Sequence, residues 1–399
     1  MDGMIQKLVV YGLLGLTYLG LALGYLPGLR MNRATIALVG AAFLIALGVL
    51  RLDEAWQAID ATTIVFLLSM MVVNANLAAA GFFRWALSRL LSLTRSPFGL
   101  ITMLTFGSGI LSAIFLNDTL AIIFTPLTLT LTKTLGLNPI PFLLAVAGAT
   151  NIGSVATLSG NPQNILIGSF SGIGYLDFLH AMAPIALVGL VIQIGLLWLL
   201  YPAVRSTQPC IHSLPPDSHI FLPLFIKSLA ITGGLLLAFI SGLPLAESAL
   251  VAASLLLITR RIKPQRILKQ VDWNLLVMFS GLFILTKATQ TLNLLEPIVR
   301  NFHFPRGLLE VTVILSNVIS NVPAVLLLHP LIPQEDTQSW LLLSAGSTLA
   351  GNLTLFGSVA NLIVAEAAAR LGYPLTFWEH LRFGVPLTAA TLVLVYLCI

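Results

Sequence analysis

Charge is what this chain of 399 residues has least of: Asp, Glu, Lys and Arg together make up 9% of it. A soluble domain carries about a quarter of its residues as charges, so this sequence has too few to cover a water-facing surface. Cysteine is nearly absent. Cys210 and Cys398 stand far apart, which excludes a disulfide framework and a cysteine-ligated metal. The six histidines, His180, His212, His219, His303, His329 and His380, are scattered without ligand spacing. There is no phosphate-binding Gly-rich loop, no metalloprotease helix motif and no nucleophile–base set, so the chain is read as not an enzyme. What fills the sequence instead is apolar: 57% hydrophobic residues, with a mean hydropathy of +0.97. That composition suits a bilayer, where about 20 apolar residues make one crossing. Met1 to Tyr25 lacks a basic start and a small-residue cleavage site, and is read as a retained first span. The net charge of +5 does not point to nucleic acid, because the basic residues sit in loops between apolar runs.

The apolar text is written twice. An offset of 212 lays 37-ALVGAAFLIAL-47 on 249-ALVAASLLLIT-259 and Asp60 on Asp272. An offset of 204 lays 110-ILSAIFLNDTLAIIFTPL-127 on 314-ILSNVISNVPAVLLLHPL-331, and one of 197 lays 157-TLSGNPQN-164 on 354-TLFGSVAN-361. Chance would align Leu with Ile, but not Asn, Gly and Pro in order; the pattern is a duplication. Its parts are a first repeat over 1–205, a cytoplasmic linker over 206–220 and a second repeat over 221–399. Hydropathy and helix breakers place spans near 8–26, 34–50, 61–80, 141–170 and 180–202, then near 221–241, 245–260, 273–289, 339–366 and 383–399. Between the third and fourth span of each half lie 98–134 and 306–334, each with two apolar arms around a polar centre. The arms read as too short to cross alone, which predicts a re-entrant hairpin in each half. The amphipathic stretch 82-FFRWALSRLLSL-93 is expected in the interface.

A re-entrant hairpin adds no net crossing, so each half crosses an odd number of times and the second copy is predicted to be inverted. With the loop after the first span in the cytoplasm, only Lys7, Arg51, Lys287, Arg300 and Arg306 of the 20 Lys and Arg residues fall outside. The positive-inside bias then puts both termini outside. The basic run 260-RRIKPQR-266, with Arg260 and Arg261, becomes a cytoplasmic loop.

Four polar breaks interrupt the apolar text: the hairpin tips 117-NDT-119 and 320-SNV-322, and the breaks 157-TLSGNPQN-164 and 354-TLFGSVAN-361 in the fourth span of each half. Gly160, Pro162 and Gly357 open the backbone there. Isolated polar residues such as Asn76, Thr105 or Ser108 are expected only to join helices. Unwound backbone at membrane depth is different, since it must be buried in protein or line a wet cavity. Half-helix ends offer N–H groups to anions and carbonyls to cations. Candidate substrate and ion ligands are therefore Asn117, Asp118, Thr119, Ser159, Gly160, Asn161, Asn164, Ser320, Asn321, Thr354, Gly357, Ser358 and Asn361. Asp118 is the ionisable member, and such a residue at membrane depth is a functional site by default. It could ligate a cation, carry a proton, or cap a half-helix. A fixed negative charge beside an anion site repels the substrate until a cation or proton neutralises it, which would itself couple the two fluxes. Lys287 is expected to snorkel outward. Glu247 and Glu310 suit helix starts, and Glu366 and Arg370 form an i, i+4 pair.

The motifs 116-LNDTLAIIFTPL-127, 157-TLSGNPQNILIG-168, 319-ISNVPAVLLL-328 and 354-TLFGSVANLIV-364 resemble those of the ion transporter superfamily, which holds citrate-transporter-like proteins, divalent anion:sodium symporters and arsenite permeases. The resemblance spans the whole chain. It implies an all-α polytopic fold of two inverted repeats, each with five transmembrane helices, a re-entrant hairpin and a broken helix. It also implies Na⁺- or H⁺-coupled transport of a small anion by an elevator-like motion, and a homodimer. The implied Na⁺ ligands are Asn117, Asp118, Ser159, Asn161, Ser320, Asn321 and Ser358. No cofactor beyond the coupling ion is implied. The first tip places Asp at its centre and the second ends in Val322, so this chain departs from the symporter pattern and stands closer to arsenite permeases at the first tip. The expected function is a secondary transporter of a di- or tricarboxylate or inorganic oxyanion in a bacterial inner membrane. Arsenite- or antimonite-type efflux and cation/proton antiport through Asp118 stay open beside it.

Overall fold

The structure is a computed structural model, and it describes residues 2–94, 96–206, 220–260, 262–294 and 307–399. Expectations that rest on Arg95, Cys210, His212, His219, Arg261, Arg300, His303 or Arg306, and most of the 206–220 linker, lie outside the described residues. Every long element among the described residues is a helix. In the first half these are α1 (Asp2–Leu23), α2 (Arg33–Ala46), α3 (Leu52–Ala58), α4 (Ala61–Ala80), α5 (Phe82–Ser92), α6 (Pro97–Ile114), α7 (Asn117–Thr134), α8 (Ile140–Ser154), α9 (Pro162–Ser171) and α10 (Tyr175–Leu200). In the second they are α11 (Leu222–Ile240), α12 (Leu245–Leu257), α13 (Pro264–Leu268), α14 (Trp273–Thr291), α15 (Leu308–Ile319), α16 (Asn321–Leu328), α17 (Thr337–Leu349), α18 (Val359–Arg370) and α19 (Phe377–Cys398). This is an all-α polytopic membrane architecture.

The helix ends follow from local chemistry. Asp60 accepts from the Thr63 N–H at 2.6 Å to start α4, and its aligned partner Asp272 accepts from Leu275 N–H at 3.1 Å to start α14. Asn161 starts α9 by accepting from Asn164 N–H at 2.8 Å, with Pro162 in the first turn. Ser358 starts α18 through Ala360 N–H. The predicted long fourth spans are each two helices. In the first half residues 155–161 separate α8 from α9, and in the second residues 350–358 separate α17 from α18, filled by short 3₁₀ turns.

The first hairpin differs from the sequence expectation. The first hairpin arm is not too short to cross: α6 has 18 residues and is apolar enough to span, about 27 Å at 1.5 Å per residue. Only the second hairpin, with α15 at 12 residues and α16 at 8, has short arms throughout. The polar tips nevertheless stand where sequence placed them, between arms. Phe115 and Leu116 are the non-helical link before Asn117, and Ser320 alone joins α15 to α16.

The two halves interlock rather than sit side by side. α2 packs on α14 and α12 on α4; α7 packs on α18 and α16 on α9. The pairs are matched: the offsets carry α2 with α14 onto α12 with α4, and α7 with α18 onto α16 with α9. Inside each half, α6 packs on α8 and α15 on α17. Small residues permit the tightest of these contacts: Gly153 of α8 lies directly against the backbone of Gly109 in α6. Apolar side chains are as comfortable in lipid as in protein, so close packing and interhelical hydrogen bonds hold such a bundle together.

Candidate functional site

The two breaks carry the same hydrogen-bond plan at the same offset. Asn164 Nδ2 donates to the Ser154 and Thr157 carbonyls at 3.0 and 2.9 Å. Asn361 Nδ2 donates to the Gly351 and Thr354 carbonyls at 2.8 and 3.2 Å. Each asparagine thus bridges its own gap and satisfies carbonyls that the interrupted helix leaves free. Their oxygens face the opposite half. Asn164 Oδ1 accepts from Ser344 and Thr348 of α17, at 2.8 and 3.4 Å, and Asn361 Oδ1 accepts from Asn151 of α8 at 3.2 Å. Asn151 and Thr348 are themselves counterparts at the offset of 197. Asn161 Nδ2 reaches Thr348 Oγ1 at 3.2 Å, and its counterpart Ser358 donates to Asn151 Oδ1 at 2.9 Å.

The tips do not share this symmetry. Tip one docks on break one: Asn117 N–H donates to the Gly160 carbonyl at 3.1 Å, and its Nδ2 reaches Asn151 Oδ1 at 3.4 Å. Gly160 has to be glycine, since a Cβ would stand 2.6 Å from the Ser154 carbonyl oxygen and 2.9 Å from that of Ser112. At tip two, Asn321 is 9% exposed and its Oδ1 has no partner. Ser320 before it holds φ at 85° and ψ at 158°, a region that glycine alone occupies freely.

The space left at tip two is a cavity of about 60 Å³. Asn117, Asp118, Pro162, Gln163, Ser320, Asn321, Val322 and Ser358 line it, with Arg33 from the start of α2. Asp118 is half-buried and makes no ion pair with any described residue. It also lines a wider cavity of about 400 Å³, between α4, α7, α14 and α18, with Asn74, Thr119, Gln270 and Asp272. Leu21, Leu275, Met278, Ile319, Pro323 and Val359 complete the narrow lining, so the carboxylate stands where a chamber of mixed polar and apolar walls meets a broad vestibule. Neutral amides and hydroxyls can ligate Na⁺ or hydrogen-bond a hydroxylated substrate, and the carboxylate can hold a cation or a proton.

Of the residues marked in the sequence, the narrow cavity gathers Asn117, Asp118, Ser320, Asn321 and Ser358, and Thr119 lines the vestibule. Others lie elsewhere. Ser159 turns to Tyr175 Oη at 3.2 Å, and Thr354 donates to Asn317 Oδ1 at 3.3 Å. Gly160, Asn161, Asn164, Gly357 and Asn361 belong to the bridges that shape the breaks. Among the implied Na⁺ ligands, Ser159 and Asn161 stand apart from the cavity. Sequence reasoning passed over Asn74, Asn151, Gln163, Asn317, Thr348, Asn352 and Arg33. Asn151 donates to Asn352 Oδ1 at 2.8 Å and is the hub that joins tip one to break two. The repeat offset pairs Asn151 with Thr348, a signal available in the sequence. Arg33 looked like one more basic loop residue. Glu366 and Arg370 do pair, at 3.5 Å on the surface, and Lys287 is exposed.

Comparison with known proteins bears on this arrangement. A family model described as "Citrate transporter" matches residues 21–343. The chain is 32% identical to the silicon efflux transporter LSI3 of Oryza sativa subsp. japonica, across 91% of both chains. It is 30% identical to the inner membrane protein YbiR of Escherichia coli, across 79% of this chain and 82% of that one. Among solved structures, the YdaH transporter of Alcanivorax borkumensis superposes with a TM-score of 0.58 at 14% identity, covering 99% of this chain and 97% of that one. That last likeness is one of fold.

Proposed function

Because the chain belongs to the citrate transporter family of membrane transporters, we propose that it is a secondary active transporter of a small oxyanion or hydroxylated oxyacid, coupled to Na⁺ or H⁺ through Asp118. The observation that carries this reading is the size and lining of the chamber at the tips. About 60 Å³ holds on the order of four or five water-sized groups, at roughly 10–15 Å³ each. That suits an inorganic oxyanion or oxyacid better than a tricarboxylate. The silicon efflux transporter among the relatives supports the same class. Neutral donors and acceptors recognise hydroxyl and oxyanion groups without charge, and the single carboxylate takes the coupling cation.

The two halves, 1–205 and 221–399, act in this proposal as inverted repeats whose tips and breaks form the moving unit of an elevator-like cycle. The membrane in this proposal is a bacterial inner membrane, and the positive-inside bias of the basic loops supports both termini outside. A second reading, di- or tricarboxylate uptake, is favoured by the description of the family model and by the width of the vestibule. Uptake into proteoliposomes separates them, using silicic acid, arsenite, arsenate, bicarbonate and citrate, with Na⁺ and pH gradients varied independently. Saturable, gradient-driven flux of a compact oxyacid or oxyanion that citrate does not inhibit is the expected result. Citrate uptake would favour the second reading, and ohmic current without coupling would sink both.

A further inference from the structure

We propose that Arg33 forms an anion subsite of the tip chamber, taking a singly charged oxyanion that bears a hydroxyl; this deepens the transport reading above and rests on it. Arg33 begins α2 and lines the same cavity as Asp118, Ser320 and Asn321. Its Nε donates to the Leu21 carbonyl at 3.1 Å, one of the free carbonyls at the end of α1. That bond fixes the guanidinium without neutralising it. The chain turns beside it at Gly24, with φ at 81°, a left-handed conformation that favours glycine. No carboxylate of a described residue lies within ion-pair distance of Arg33. A half-buried cation that lines a largely apolar chamber and makes no ion pair with a described residue is a place for an anion.

Three more facts fit the same ligand. Asn321 lines the chamber and its buried Oδ1 has no partner, so it needs a donor, which a hydroxyl of the bound anion supplies once the side chain turns to it. The planar guanidinium presents parallel N–H donors that match two oxygens of an oxyanion. The charges also balance. Arg33 and Asp118 have opposite signs, so the empty chamber is neutral, and an anion at Arg33 calls for a cation or proton at Asp118. A half-filled chamber carries net charge, which is costly at membrane depth. Neither residue is duplicated: the offset of 212 pairs Arg33 with Leu245, and that of 204 pairs Asp118 with Val322. The scaffold is repeated; the charges are not.

The test uses the full chain in detergent and in liposomes, comparing wild type with Arg33→Gln and Arg33→Lys. The probes are arsenate and bicarbonate, which are anions at pH 7, and silicic acid, which is neutral there. Arsenate or bicarbonate should raise the melting temperature of the wild type. Arg33→Gln should weaken that binding and raise the half-saturating anion concentration for uptake about tenfold or more, with silicic acid changed less than about twofold by the same measure. Arg33→Lys, which keeps the charge and loses the fork, should fall between. An unliganded melting temperature close to wild type shows that the variants fold. A role confined to holding the end of α1 would lower stability without separating anion from neutral probe. Anion binding and uptake unchanged in Arg33→Gln, or no anion stabilisation of the wild type, overturns the subsite. Arg33-dependent anion binding without coupled flux of any probe would leave the subsite standing and remove the transport reading instead.

Discussion

In the proposed transport cycle, Asp118 is the residue on which coupling turns. It is the one carboxylate in the lining of the narrow chamber and lies at its opening to the vestibule. Asp118→Asn keeps the shape and the hydrogen-bonding capacity but removes the charge. Flux through this variant should lose its response to the driving pH or Na⁺ gradient, and net uphill accumulation in proteoliposomes should vanish. Gradient-driven accumulation at the wild-type level would show that another group couples. Asn151 is the opposite kind of residue, neutral and buried, with bonds to Asn117, Asn352, Asn361 and Ser358. Bonds between membrane helices average about 0.6 kcal/mol each, whereas stranding a buried polar partner costs about 1–3 kcal/mol. Asn151→Ala strands several, so the larger figure should govern: a loss of about 1–3 kcal/mol in unfolding measurements, and impaired transport. A loss below about 0.5 kcal/mol would mean that water replaces the amide.

At the scale of elements, the breaks owe their shape to glycine and asparagine acting together. Gly160 brings the chain against the backbone oxygens of Ser154 and Ser112, and neither of these can yield as a side chain would. Gly160→Ala should therefore displace tip one, whose Asn117 N–H bonds to the Gly160 carbonyl, and cost about 1–3 kcal/mol. Gly234→Ala in α11 is the control, because nothing lies within 4 Å of the added methyl. There the change should be neutral or stabilising by about 0.5–1 kcal/mol. Equal effects at both positions in a thermal-unfolding assay would argue against the close approach. Much of this was legible beforehand, because duplication turns weak polar signals into matched ones: 157-TLSGNPQN-164 alone is ambiguous, but paired with 354-TLFGSVAN-361 it marks a break. What stayed hidden depended on distance in space. Ser159 and Thr354 share a motif with cavity residues yet face Tyr175 and Asn317. Arg33 is far from either tip in sequence and reaches the chamber only because α2 packs across on α14. The sequence reads each hairpin arm as too short to cross, yet α6 runs 18 residues and is apolar enough to span, with Gly107, Ser108, Gly109 and Ser112 buried along it.

For the molecule as a whole, the departure from symmetry is informative. At one end, α9 packs on α4, and α16 packs on α14. The offsets map these contacts onto α18 with α14, and α7 with α4, at the other end. There the vestibule of about 400 Å³ intervenes, lined by Asn74 and Ala78 of α4, Ile122 of α7, Leu275 of α14 and Ile363 of α18. The closed end is further sealed where His329 stacks on Phe170, with ring centroids 4.2 Å apart. In the proposed cycle this asymmetry is one state of alternating access, and exchange of the two contact sets gives the other. In the orientation proposed from the basic loops, the open end faces the cytoplasm, because Ala78 and Ile363 lie on the way to Arg84 and Arg370. With Cys210 and Cys398 replaced by Ser, Ala78→Cys should react with a membrane-impermeant thiol reagent in inside-out vesicles and not in right-side-out ones. Conditions that drive the carrier to its other state should slow that reaction and expose a cysteine at Phe170 to reagent from the opposite side. Labelling of Ala78→Cys from the outside would reverse the assigned orientation. Equal labelling from both sides would describe a pore, in which the two contact sets never alternate.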